Sequence, residues 1–296
     1  MDVPVNSSAA RPIIIIGMHR SGTSLIARVL EQQGLFLGKR KQRNHEAMFF
    51  LRLNTWLLRQ SGGAWDQPEP IHFLVANQRV RALVVGYLHF MLRSPRIMSY
   101  LGWSDYLRYR SPYDFPRPWG WKDPRTTYTL PVWLELFPEA KVVHVYRHGV
   151  DVSHSLRTRM LALLDRGQAG HEKIGKRFRV YWVYARRAGF TDSLRCAASL
   201  EDSFTLWESY MREAHIHVQN LAERCIEIQY EQFLADPHSG LMQLARFCDL
   251  DVTEDAAARL SGQLDATRAY AYRQEPELTV FAHSVTDRLA EWGYGV

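Results

Sequence analysis

Ile13-Ile14-Ile15-Ile16 runs directly into Gly17-Met18-His19-Arg20-Ser21-Gly22-Thr23-Ser24, and Leu25, Ile26, Val29 and Leu30 follow at helical spacing. An apolar run, a glycine-bounded loop and an amphipathic stretch, in that order, predict a strand, a phosphate-cradling turn and a helix. Gly34 closes the helical pattern as the expected C′ residue. The loop has the spacing of the Walker sequence G-x-x-x-x-G-K-[ST], whose backbone N–H groups hold phosphate oxygens at a helix N-terminus. Thr23 stands where the lysine belongs. The cation that reaches the β- and γ-phosphates of a nucleoside triphosphate is therefore missing, and Arg20 offers a replacement charge from inside the loop. The swap points away from ATP hydrolysis and toward transfer of another anionic group.

Working outward, Trp119–Trp121, Val142–Tyr146 and Ile226–Tyr230 are short apolar runs that join Ile13–Ile16 as strands of a buried parallel sheet. Helical patterns lie between them, so the expected class is α/β, with a central parallel sheet flanked by helices. From Phe49 to Leu107 two helical patterns, separated by Gly62-Gly63 and Pro68/Pro70, interrupt the alternation. They are expected to form a helical insertion over the C-terminal edge of the sheet, at about residues 44–115 of a single domain spanning residues 1–296. The three prolines of Ser111–Pro118 mark a loop that delivers Trp119-Gly120-Trp121-Lys122-Asp123-Pro124-Arg125. Phe204, Trp207, Tyr210, Met211, Ala214, Val218 and Leu221 recur at helical spacing and read as a core stripe.

The 296 residues, 46% of them hydrophobic, suffice for a sizeable core. A net charge of +6, from 37 Lys plus Arg against 31 Asp plus Glu, suits anionic small molecules and falls short of a nucleic-acid signature. Three cysteines, an odd number in a long chain, argue against a disulfide framework and for a reducing compartment. No apolar run approaches the length of a membrane span, and the first residues lack the pattern of a signal peptide, so a cytoplasmic protein is expected.

A second anion site is expected where Val142–Tyr146 ends in Arg147. A Walker B strand ends in Asp to help hold magnesium, so Arg at this position favours an oxyanion. Asp151 is expected to cap the next helix, and Ser155 and Arg159 then share one face of it. Arg147, Ser155 and Arg159 can thus converge on a second phosphate, as a nucleotide with two separated phosphates requires. The alternative is that the arginines pair with surface carboxylates.

On these residues the chain resembles the sulfotransferases that use 3′-phosphoadenosine 5′-phosphosulfate (PAPS) and release 3′-phosphoadenosine 5′-phosphate (PAP). Arg20-Ser21-Gly22-Thr23-Ser24 is similar to the family's 5′-phosphosulfate loop, and Arg147 followed by Ser155 to its 3′-phosphate motif. Tyr230-Glu231-Gln232-Phe233-Leu234-Ala235-Asp236-Pro237 resembles a late strand-to-helix signature whose Tyr contributes to the adenosine pocket. Lys122-Asp123-Pro124, with Arg147, Ser155 and Arg159, is closest to the protein-tyrosine sulfotransferases and related bacterial enzymes. No Arg-Lys-Gly stretch of the small-molecule enzymes occurs near the C-terminus, so Arg159 or the basic residues Lys173, Lys176 and Arg177 are expected to substitute.

The resemblance implies sulfuryl transfer to an acceptor hydroxyl by in-line displacement, without a required metal. It places Lys122 on the leaving 5′-phosphate, with Arg20 sharing that duty, and makes Glu46 the candidate base. Met48, Phe49 and Phe50 offer Glu46 apolar walls. The alternative for Glu46 is a surface pair with Lys39, Arg40, Lys41 or Arg43, and His45 and His19 stand in reserve as bases. Trp103, Trp119 and Trp121 either line an acceptor pocket or belong to the core. The acceptor itself, whether carbohydrate, lipid, small molecule or tyrosine, has no readable code.

Two other functions compete. A P-loop kinase or nucleotidase with a degenerate loop would use Glu231 to hold its metal. A nucleotide- or nucleic-acid-binding protein would use the stretch Arg157–Arg187, where Tyr181, Trp182 and Tyr184 interleave with Arg179, Arg186 and Arg187. The pairs His215/His217 and His144/His148 lack accompanying Cys or carboxylate ligands and read as ordinary histidines rather than a metal site.

Overall fold

Strands β1 (Ile13–Ile16), β2 (Gly120–Lys122), β3 (Lys141–Tyr146) and β4 (Cys225–Gln229) form one sheet in the order β2-β1-β3-β4, with every neighbouring pair parallel. The four strands expected from the sequence are thus present within a residue at each end, and the fold is α/β. Ile15 lies beside both Lys122 and Val143, so β1, β2 and β3 finish at a common edge.

The computed structural model describes residues 11–173, 192–262 and 264–295. These divide into two units. The first takes the chain up to Arg147 together with Tyr210–Ala269, and the second takes His148–Ser209 and the residues from Tyr270 onward.

The first unit holds the sheet. Its helices are α1 (Thr23–Gln32), α2 (Met48–Gln60), α3 (Ile71–Ala76), α4 (Gln78–Arg93), α5 (Met98–Leu101), α6 (Trp103–Tyr109) and α7 (Thr126–Leu136), with further helices after β4. Ile13 and Ile15 pack with Ile26, Val29 and Leu30 of α1 and with Leu241 and Leu244 of the helix Pro237–Phe247. Ile14 and Ile16 alternate to the opposite face, and they are equally buried, so helices cover both sides as a parallel sheet requires.

Helix α1 ends as its sequence predicts. Gly34 takes φ 102°, its N–H donates to the Glu31 carbonyl, and the Leu35 N–H donates to the Leu30 carbonyl, which is a Schellman cap. The insertion contains five helices, α2 to α6, where sequence periodicity showed two. Its helices are cut short by Gly62-Gly63, Pro70, Asn77, Pro95 and Gly102. Asn77 caps α4 by accepting from the Val80 N–H at 3.1 Å.

Pro131 sits inside α7. Having no N–H, it leaves the Thr127 carbonyl without its usual partner four residues on, and the buried His217 Nε2 donates to that oxygen at 2.7 Å instead. The second unit contains α8 (Gly149–Lys173) and the helices that follow Tyr270. Within it His148 stacks on Tyr272 with centroids 4.4 Å apart. Among the described residues, no helix is long and apolar enough to cross a membrane.

Candidate active site

The glycine-bounded loop follows β1, Lys122 ends β2 and Arg147 follows β3, at the carboxyl edge where parallel α/β sheets bind ligands, whereas Glu46 comes from the insertion. Between β1 and α1, Gly17 has φ +130°, and a Cβ there would lie 2.1 Å from the Val145 carbonyl oxygen. Gly22 has φ +91°, and its Cβ would lie 2.3 Å from the Tyr230 ring. Both positions therefore require glycine for conformation and for space. The Gly17 N–H donates to Thr127 Oγ1 at 3.1 Å, tying the loop to α7. Arg20 is exposed, with φ 73°. No side chain caps α1 among the described residues, which leaves its first N–H groups to an anion. Ser21 Oγ is buried without a partner among the described residues. A buried orphan hydroxyl in a glycine-bounded loop that runs into an uncapped helix N-terminus is a setting that fits a phosphate or phosphosulfate oxygen.

Lys122 ends β2 with its side chain 1% exposed. Its Nζ donates to Glu46 Oε1 at 3.2 Å and to Ser24 Oγ at 3.3 Å, and Ser24 Oγ in turn donates to the Asn44 carbonyl at 2.9 Å. Burial lowers the pKa of Lys122, and the neighbouring Glu46 and Asp123 carboxylates offset only part of this. Glu46 stands on a narrow hairpin: Lys41 bridges to Ala47, Gln42 N–H donates to the Glu46 carbonyl, and Met48 N–H donates to the Arg40 carbonyl. His45, at φ 61°, makes the turn.

Glu46 is thus buried, and none of the four surface cations considered as its partners pairs with it. Lys41 pairs with Glu31 instead. The charged neighbours of Glu46 are Lys122 and, at 3.8 Å, Arg125 Nη1, which also reaches Asp123 Oδ1 at 3.0 Å.

Beneath this group lies Asn54, fully buried on α2. Its Nδ2 donates to Asp123 Oδ2 at 2.9 Å and to Thr126 Oγ1 at 2.8 Å, while its Oδ1 accepts from Thr129 Oγ1 at 2.8 Å and Trp133 Nε1 at 2.7 Å. Sequence reasoning assigned no role to Asn54 or to Arg125. The available signal for Asn54 was a lone amide on the apolar face formed by Phe50, Leu53, Leu57 and Leu58.

Arg147 follows β3. Its Nη2 donates to the Arg268 carbonyl at 2.8 Å, and its guanidinium lies 4.9 Å from the centroid of the Tyr230 ring. Tyr230 begins the helix after β4 and packs against Gly22, so Arg147, Tyr230 and the loop form one contact chain. Ser155 and Arg159 belong to α8 in the second unit, where Arg159 Nη2 lies 3.1 Å from Asp192 Oδ2. Asp151 is not the cap of α8. The helix begins at Gly149, and Asp151 Oδ1 accepts from the Tyr272 N–H at 2.8 Å within the second unit.

Of the reserve bases, His45 Nδ1 lies 2.9 Å from Glu31 Oε2, and His19 packs edge-on against Trp65 at 4.8 Å. Trp119 and Trp121 are core residues, whereas Trp103 is 67% exposed. Phe50 stacks on Trp121 at 4.1 Å, directly behind Lys122. Among the described residues no cluster of His, Cys, Asp and Glu has the makings of a metal site. Lys176 and Arg177 lie outside the described residues, as do Arg179, Tyr181, Trp182, Tyr184, Arg186 and Arg187.

A parallel sheet with a glycine-bounded loop after β1, and cations at the ends of β2 and β3, defines an α/β protein whose sheet edge offers an anionic ligand backbone N–H groups and cationic side chains. The model of the sulfotransferase family matches residues 12–255, and the chain belongs to that family. Among solved structures it is similar to the sulfotransferase domain of the Synechococcus PCC 7002 olefin synthase, at 19% identity and TM-score 0.46 over 99% of this chain and 98% of that one. The sulfotransferase domain from the curacin biosynthetic pathway shares 15% identity at TM-score 0.49, over 94% and 98% of the two chains. A sulfotransferase from Alicyclobacillus acidocaldarius shares 17% at TM-score 0.47, over 96% of each chain. Comparison with curated proteins returned no match.

Proposed function

We propose that the chain moves a sulfuryl group from PAPS to an acceptor hydroxyl and releases PAP. The observation that carries this reading is Lys122, buried and in contact with both Glu46 and Ser24 of the phosphate loop. In this reading Arg20, Ser21, Gly22, Thr23 and Ser24 hold the 5′-phosphate, Arg147 with Ser155 and Arg159 holds the 3′-phosphate, and Tyr230 lies against the adenosine. The donor, when bound, supplies the sulfuryl group and a phosphate as leaving group. Negative charge grows on the bridging oxygen as the bond breaks, so positioned cations rather than covalent chemistry lower the barrier. Lys122 Nζ, protonated and fixed by two acceptors, stabilises that oxygen, and Arg20 adds charge from the loop. Glu46 takes the proton of the acceptor hydroxyl. A sulfuryl group carries less charge than a γ-phosphoryl, which suits a loop without its lysine and a β3 that ends in Arg rather than Asp.

Calorimetric titration with PAP, against ATP with magnesium, tests the reading. Metal-independent PAP binding that is lost in Arg147→Ala is the expected outcome. Binding of magnesium-ATP in preference to PAP would replace this reading with the kinase one, and binding of neither would remove the nucleotide.

A further inference from the structure

The insertion forms a half-open cavity of about 580 Å³ that the phosphate loop does not line. That volume is in the range of small-molecule sites. Its apolar side is formed by Phe49, Leu53 and Met91, all buried, and by Trp56 and Tyr87, whose ring centroids are 4.5 Å apart at 38°. Its charged side is formed by Arg40, Arg52 and Arg96, and no acidic residue lines it. Among the described residues none of these three guanidinium groups has a hydrogen-bond or ion-pair partner. Other arginines of the insertion do find partners: Arg81 reaches Glu135 at 2.7 Å, and Arg93 lies over the Tyr113 ring. Three like charges gathered without a counter-charge repel one another, and an arriving anion relieves that repulsion.

The lining of the cavity runs along the chain into the Glu46 hairpin. Arg40 forms one side of that hairpin, its carbonyl accepting from the Met48 N–H, and Phe49 follows Glu46 by three residues. Three residues of extended chain span at most about 10 Å, so a ligand seated here lies within one small molecule's length of Glu46.

We infer that this cavity is the acceptor pocket and that the acceptor is an organic anion: a flat apolar or aromatic body bearing the reacting hydroxyl and a separate carboxylate, sulfate or phosphate ester. The inference rests on the sulfuryl-transfer reading. The aromatic pair and the buried floor take the body, and Arg40, Arg52 and Arg96 take the charge in the forked geometry that guanidinium offers to oxyanions.

The test uses the full chain and three probes: 6-hydroxy-2-naphthoate, its methyl ester and the corresponding naphthylmethylamine. Calorimetry should show the carboxylate binding about tenfold more tightly than the ester, as one or two partly screened charge-assisted hydrogen bonds imply. The double variant Arg52→Glu/Arg96→Glu should lose that preference and favour the amine, with PAP affinity unchanged. Because both side chains are exposed, the exchange leaves the core intact. Equal binding of acid and ester, binding of neither, or a preference that survives the double variant overturns the anion assignment. In the presence of PAPS, hydroxynaphthoates should be sulfated ahead of their esters. A chain that binds PAP and the naphthoate yet sulfates none of these compounds overturns the acceptor assignment. Failure to bind PAP strikes the transfer reading instead and leaves the naphthoate titration to decide the cavity.

Discussion

Lys122 Nζ lies 3.2 Å from Glu46 Oε1 with both side chains almost wholly removed from solvent, at 1% and 5% exposure. A buried ion pair of this kind adds little to stability, because removing both charges from water offsets their attraction. Its value lies in position. The strand end of β2 and the 40–48 hairpin each fix one partner, so an ammonium group and a carboxylate are held together beside Ser24 of the glycine-bounded loop.

Lys122→Met is expected to reduce turnover about 10²- to 10³-fold, the usual cost of losing one charge-stabilising group aimed at the reacting oxygen. PAP affinity should change only severalfold, because the loop N–H groups and Arg147 remain. Single-turnover rates with PAP titration separate the two effects, and an undiminished rate would take Lys122 out of the chemistry.

The Lys122 pKa is depressed by burial, with the Glu46 charge pulling in the opposite direction. Glu46→Gln removes part of that opposition, so the Lys122 pKa should fall further, visible as an earlier ¹³Cε titration by NMR. The linkage has a definite sign. Between the folded pKa and the higher unfolded one, the unfolded chain binds more protons, so stability rises with pH across that window. Stability of the wild-type chain should therefore climb relative to Lys122→Met as pH passes upward through the Lys122 pKa, and a flat difference in denaturant midpoints would contradict the shift.

Gly22→Ala forces a Cβ into the Tyr230 ring at a left-handed backbone position. Overpacking and backbone strain together should cost about 3 kcal/mol. Nucleotide binding should weaken along with stability, since Tyr230 and the loop are displaced as a pair. Gly34→Ala shares a positive φ but meets no atom within 4 Å, so it should cost about 1 kcal/mol and leave PAP binding untouched. Equal penalties for the two variants would refute the packing argument.

Asn54→Leu keeps the branching at Cγ but strands the Trp133 Nε1–H and one oxygen of Asp123. At about 1–3 kcal/mol for each buried group left unsatisfied, a loss near 3 kcal/mol is expected. The turn Asp123-Pro124-Arg125 should loosen with it, lowering kcat more than it raises the KM for PAPS. Chemical denaturation and steady-state kinetics on the same preparation read both effects.

The strands and the loop were legible because they are local: continuous isoleucines, glycines at the first and sixth positions of an octapeptide, an apolar run terminated by Arg147. Lys122 and Glu46 were readable as candidates from motif position, but their contact was not, since 76 residues separate them and neither sequence neighbourhood specifies the other. Asp151 shows the opposite failure. Its spacing suited a cap, yet the Tyr272 N–H, 121 residues away, claims its carboxylate. The division of the insertion into five short helices escaped periodicity analysis because segments such as Met98–Leu101 are shorter than the period needed to reveal them.

The proline inside α7 has a consequence for the order in which the molecule is completed. Thr127 offers its carbonyl to His217 and its hydroxyl to the Gly17 N–H, so a single residue links the phosphate loop to a histidine 90 positions further along the chain. During synthesis the loop and its glycines emerge before Thr127, whereas the imidazole that fills the gap left by Pro131 follows 90 positions after Thr127. A nascent chain that has emerged only as far as α8 therefore carries the loop but lacks one of the props behind it.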